Sequence, residues 1–201
     1  MSDDLSLGAH MRKFLAFSFF LASTLVSAQE QADSSKNSPT TKLEAFSART
    51  GIVLIKAYST LGVVNGMGKI SIDAREFRDA SNPKSAQYGV AFEVKESGRL
   101  ERENTSFIDE DEIESLIRGL EYISKIQKSV TSLENFEAQY RTKSDLSFVV
   151  FSGRNGDISL AVSSGGIGKT TAFLKLSDAE QIRSLLVEAK RVIVNAKAVG
   201  K

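Results

Sequence analysis

The sequence predicts an α+β fold of two tandem β-β-β-β-α units, whose antiparallel sheets and two amphipathic helices share one core. Three observations carry this expectation. Several segments rich in β-branched residues alternate apolar and polar side chains, with turn signals between them. Two other segments carry an apolar stripe at helical spacing behind an acidic start. The second of these stripes repeats the first after 69 residues.

The chain opens with the pattern of an export signal. Met11-Arg12-Lys13 is a short basic segment that runs into uncharged Phe14–Ala28. Val26-Ser27-Ala28 then offers small or modest side chains to a signal peptidase. An apolar run of 15 residues is short of the roughly 20 that a membrane helix needs. Asp3 and Asp4 suit an n-region poorly, so translation is expected to start at Met11, with residues 1–28 as extension plus signal. Cleavage after Ala28 implies a periplasmic or secreted protein with no transmembrane helix in the mature chain. Residues 29–42 hold one apolar side chain, Ala32, and are expected to be a flexible leader. The globular domain is then residues 43–196, with repeats of about 51–129 and 132–196.

Leu43–Arg49 is expected as a short helical turn with Leu43 and Phe46 on one side. Ile52–Val64 has the β-branched content of a strand, and Asn65-Gly66 is a hairpin signal because both residues tolerate positive φ. Ile70, Ile72 and Ala74 alternate with polar residues as the second strand. Ser81-Asn82-Pro83-Lys84 is a turn, and Tyr88, Val90, Phe92 and Val94 mark the inner side of a third strand. After Ser97-Gly98, Leu100–Ile108 reads as a more polar fourth strand. Asp109 with Glu112 has the spacing of a capping box. Behind it Ile113, Leu116, Ile117, Leu120, Ile123 and Ile126 form one stripe on a helix of about five turns.

The pattern then recurs. Phe136–Thr142, Leu146–Phe151, the alternating Ile158, Leu160 and Val162, and Thr170–Leu176 are four further strands. Asp178 with Gln181 opens a second helix whose stripe runs through Ile182, Leu185, Leu186, Ala189, Val192 and Ile193. The helices align at an offset of 69 and the third strands at 68, which one added loop residue reconciles. A four-stranded sheet with one helix leaves a face open, so the two units are expected to share an interior.

Composition excludes several chemistries. Lys+Arg 26 against Asp+Glu 25 gives a net charge of +1, so no bulk field draws nucleic acid or an anionic membrane. There is no cysteine, and the only histidine, His10, precedes the cleavage point. Disulfides, thiolate nucleophiles, cysteine–zinc sites and serine–histidine pairs are therefore closed to the mature chain. Neither a cofactor nor a metal is expected. The run Ser164-Gly165-Gly166-Ile167-Gly168-Lys169-Thr170-Thr171 looks like the tail of a phosphate-binding loop. Such a loop needs a helix directly behind it, whereas Ala172–Leu176 reads as strand. The acidic residues Glu101, Glu103 and Asp109–Glu112 lack calcium-loop spacing, and the macrodipole explains acids in a first helical turn. Ser81 and Lys84 have the S-x-x-K spacing, but in a turn. Asn104-Thr105-Ser106 is a glycosylation sequon.

The element order across about residues 51–196 resembles the Whirly and PUR-type folds that bind single-stranded nucleic acid. That resemblance implies sheets whose basic and aromatic side chains hold phosphates and bases. Lys56, Tyr58, Arg75, Phe77, Tyr140 and Arg141 are the candidate ligand-binding residues. The balanced charge, Glu101 and Glu103, and the export signal all oppose nucleic acid as the ligand. The leading expectation is an exported, non-enzymatic binding or interaction module whose partner or ligand lies outside the cytosol. A homodimer through an open sheet edge or uncovered face belongs to that expectation. The alternatives are a single-stranded nucleic-acid-binding protein and a hydrolase working with carboxylates alone.

Overall fold

The period-two segments form eight strands and the apolar stripes form helices. The computed structural model describes residues 40–98, 101–153 and 156–199. The expected export signal and the leader up to residue 39 lie outside the described residues. The elements run α1 (Lys42–Ser47), β1 (Leu54–Gly66), β2 (Gly68–Asp79), β3 (Asn82–Lys95), β4 (Glu103–Asp109), α2 (Glu110–Ser124), β5 (Glu137–Arg141), β6 (Ser147–Ser152), β7 (Ile158–Ser164), β8 (Thr170–Lys175) and α3 (Asp178–Val199). Strands β1–β4 form one antiparallel meander and β5–β8 a second, so the β4-plus-helix unit is used twice.

Register explains which faces turn inward. Ile70 pairs with Val94, Ile72 with Phe92 and Ala74 with Val90, so these buried side chains share one face of the first sheet. In the second sheet Phe148 pairs with Val162 and Val150 with Leu160, and all four are buried. Both inward faces and both helix stripes join in one hydrophobic cluster. The helices do not each cover their own sheet. α3 ends the second unit but lies against β1, β2 and β3 of the first, and α2 touches β5 as well as β3 and β4. Each helix thereby helps to cover a face that a lone unit would expose to water.

Polar links hold the halves in place. The Met67 and Phe173 backbones exchange two hydrogen bonds of 2.9 Å, which joins the β1–β2 turn to the edge of β8. Inside the crossing, Ser106 Oγ on β4 donates to the Ser144 carbonyl at 3.1 Å. Its single proton is thus used, and Ser164 Oγ on β7 donates to it at 2.7 Å. Between the helices, Lys190 pairs with Glu114 and Lys197 with Glu110.

Three local expectations are corrected. Asp109 stands at the N-cap position of α2 but caps nothing there. Its buried carboxylate accepts the Lys42 N–H at 2.9 Å and the Leu43 N–H at 3.3 Å, the free donors that open α1. Glu112 likewise turns away, and its Oε1 accepts the Lys143 N–H at 3.0 Å. Asp178 accepts the Lys175 N–H at 2.9 Å, which closes the strand-to-helix corner instead of forming a box with Gln181. A capping box does form at α1, between Thr41 and Glu44. Residues 40–42, assigned to the leader, therefore carry the start of this helix.

Turns shift slightly. The first reversal falls at Met67, one residue past Asn65-Gly66. The second falls at Ala80-Ser81, where Asp79 accepts the Ser81 N–H at 2.9 Å. Pro83 lies in the register break between Asp79↔Asn82 and Arg78↔Ala86, so the ladder loses no donor. α2 ends at Ser124, and Ile126 is buried from just beyond it.

Candidate functional site

The first sheet has an outer face that neither long helix covers. Ala74 points into the core, so Arg75 and Phe77, its odd-numbered neighbours on β2, point out. Register then sets Lys56 of β1 opposite Phe77 and Tyr58 opposite Arg75. The Arg75 guanidinium lies over the Tyr58 ring, 4.8 Å from its centroid, and the Lys56 ammonium lies 5.3 Å from that of Phe77. Four of the six candidate residues thus form a two-by-two patch. Tyr58 is 66% exposed.

Two neighbours define what this patch offers. Asp73, two residues along β2 and on the same face, accepts a hydrogen bond from Arg75 Nη2 at 2.6 Å. The acidic partner was not among the sequence candidates, although i, i+2 spacing on a strand places the two together. Phe77 is buried, because α1 lies on this end of the face. Leu43 and Phe46 pack with Phe77, Leu54 and Phe107 in a satellite core. Phe77 therefore anchors α1, and Lys56, Tyr58 and Arg75 remain on the part of the face that α1 does not cover.

Tyr140 and Arg141 lie elsewhere. The Tyr140 ring packs on Gly119 of α2, so closely that a Cβ at Gly119 would sit 2.5 Å from the ring. Its hydroxyl donates to Ser115 Oγ at 3.3 Å. Arg141 is held by Asp145, with its Nε 3.0 Å from Oδ1. Both residues serve the second unit and do not join the patch.

The acidic residues around α2 are engaged one by one. Asp109 holds α1, Glu110 meets Lys197 and Glu114 meets Lys190. The ammonium of Lys42 hydrogen-bonds Asp111 at 2.8 Å and holds its carboxyl below the ordinary range. Lys190 does the same to Glu114. Among the described residues, no group of three or more acidic or histidine side chains converges as metal ligands do. Among the described residues Glu112 Oε2 is buried with no partner, one orphaned acceptor in an otherwise paired set.

The other motifs resolve into local structure. β8 follows the glycine-rich loop directly, and the helix comes only at Asp178, so no helix N-terminus backs residues 165–169. Ser81 Oγ donates to Asp79 Oδ1 at 2.6 Å. Asn104 of the sequon presses on Gly165, where an added Cβ would lie 2.2 Å from its amide nitrogen. A glycan on that nitrogen and the β7–β8 loop would compete for one space.

On the inward side of the β1 edge lies a cleft of about 80 Å³. Ala57, Ser59, Glu76 and Tyr88 line it from the sheet, and Val192, Ile193 and Ala196 from α3. Comparison of the chain with protein families, curated proteins and solved structures finds no match. Among the described residues, no helix is long and apolar enough to cross a membrane.

Proposed function

We propose that this chain is an exported, non-enzymatic binding module that presents the outer face of its first sheet to a partner protein outside the cytosol. One observation carries the contact surface: Lys56, Tyr58 and Arg75 stand together on the sheet face that α2 and α3 leave open. A large exposed aromatic beside an arginine is the composition found at binding hot spots. Export rests on the basic-apolar-small pattern of residues 11–28. Self-association through an open sheet edge belongs to the same reading.

Cell fractionation followed by affinity capture from the exported fraction tests it. The expected result is a partner retained by the wild type and lost with Tyr58→Ala. A chain retained in the cytosol removes the export reading. Equal capture by the variant removes the patch.

A second reading has one observation in its favour. An exposed tyrosine flanked by Lys56 and Arg75 on an open sheet is how single-strand binders hold bases and phosphates. Asp73 neutralises Arg75, and Glu93 and Glu103 share the face, which opposes a phosphate backbone. Retention of an oligonucleotide that weakens with salt would favour this reading. No retention at low salt would remove it.

A further inference from the structure

We infer that β1 pairs edge to edge with the β1 of a second copy, antiparallel about Ala57, and joins the two first sheets into one. This deepens the self-association part of the reading above; it does not need export, and it shares Lys56 and Tyr58 with the outer-face patch.

Among the described residues four strands edge the two sheets. β1 has 13 residues, whereas β4 has 7, β8 has 6 and β5 has 5. Residues 55–60 of β1 are exposed one after another, on both faces of the strand. Ile55 is 47% exposed. A strand in mid-sheet or under a helix would bury at least alternate residues. The devices that normally blunt an edge are sparse: the segment holds one charge, Lys56, no proline, and a bulge only at its far end, between Thr60 and Gly62.

Charge selects the occupant and the register. Pairing about Lys56 would set two like charges directly opposite, which destabilises a sheet. Pairing about Ala57 sets each Lys56 opposite the other copy's Tyr58, a cation beside an aromatic ring. It also sets each Ile55 opposite the other copy's Ser59, beside the cleft that Ala57, Val192 and Ala196 border. A second copy thus supplies a further ring, beyond Phe77, for the strand's one charge and an apolar side chain for the cleft. The two-fold repeats both contacts.

Single cysteines test the register without background, because the chain has none. Directly opposed residues on antiparallel strands lie within disulfide reach. A57C is expected to form a covalent dimer under mild oxidation. I55C would stand four residues out of step, about 13 Å from its mate, and is expected not to. Sedimentation should show a dimer for the wild type and a monomer for A57K, whose exposed position leaves folding intact by circular dichroism. A monomeric wild type, a dimer that survives A57K, or crosslinking through I55C as readily as through A57C overturns the inference. A monomer that still captures a partner at its Tyr58 face would leave the binding reading standing. A dimer with no partner would do the reverse.

Discussion

Phe92 on β3 and Phe148 on β6 meet edge to face, with ring centroids 6.0 Å apart and an interplanar angle of 84°. One belongs to the first sheet and the other to the second, and both are fully buried. The contact is the physical meaning of a shared interior. Neither sheet can lose its inward aromatic without opening a void against the other.

A double-mutant cycle at this pair measures that dependence. Phe92→Leu and Phe148→Leu are expected to couple by about 0.5–1.5 kcal/mol, as aromatic pairs do. Phe148→Ala should cost about 3–5 kcal/mol and lower the midpoint of a single unfolding transition followed by any probe. Two separate transitions, one for each unit, would refute the common core.

The Asp109 carboxylate gives a second test. Asp109→Ala should destabilise the protein by about 1–2 kcal/mol, because it strips the part-buried Lys42 and buried Leu43 donors of α1 of their acceptor. The loss should appear as faster amide exchange in residues 43–47. Glu112→Ala should instead loosen the turn at Lys143, whose N–H it satisfies. Unchanged exchange in α1 after Asp109→Ala would contradict the assignment.

Close approach of the two sheets makes Gly66 intolerant. A Cβ there would lie 2.3 Å from the Phe173 carbonyl oxygen and 2.7 Å from a Leu174 methyl. Gly66→Ala is expected to cost about 2–3 kcal/mol by chemical denaturation. Among the described residues Gly98 has no atom within 4 Å of its added Cβ, so Gly98→Ala is the control, with a change below about 0.5 kcal/mol. Equal effects would mean that the turn does not seat on β8.

Stability should fall on the acid side. Lys42 hydrogen-bonds Asp111, Lys190 Glu114 and Lys125 Glu121, and each carboxyl is held below its ordinary value of 3.8 for aspartate or 4.5 for glutamate. The folded chain therefore binds fewer protons than the unfolded chain in that range, and stability rises with pH there. This contribution is complete above the ordinary values and is lost as pH falls through the lowered ones. Urea midpoints should be flat near neutral pH and drop below about pH 4.5, with a shallower drop at high salt because the pairs are exposed. A midpoint that rises on acidification would reverse the sign.

The patch and the caps differ in how far residue spacing could reveal them. Alternation around Ala74 already places Arg75 and Phe77 on an outer face, and the same rule groups Lys56 with Tyr58. Tyr140-Arg141 carries the same residue types on a strand, yet α2 settles on Tyr140 through Gly119. Which strand face a helix covers depends on contacts far along the chain. Spacing likewise makes Asp109 and Glu112 a capping box, but α1 competes for that carboxylate from 66–67 residues away. A local pattern records what a side chain can do, and a nearer donor in space takes it.

Residue order by itself determined the eight strands, the two amphipathic helices and their inward stripes, because periods of 2 and 3.6 follow from backbone geometry alone. Folding in three dimensions decided that α3 lies on the first sheet, that Asp109 serves α1, and that, among the described residues, β1 stands at an edge with residues 55–60 exposed. Each of these depends on which of several equally apolar or equally polar surfaces come together. That choice rests on packing volume and hydrogen-bond satisfaction summed over the whole interior, which no short window of sequence contains.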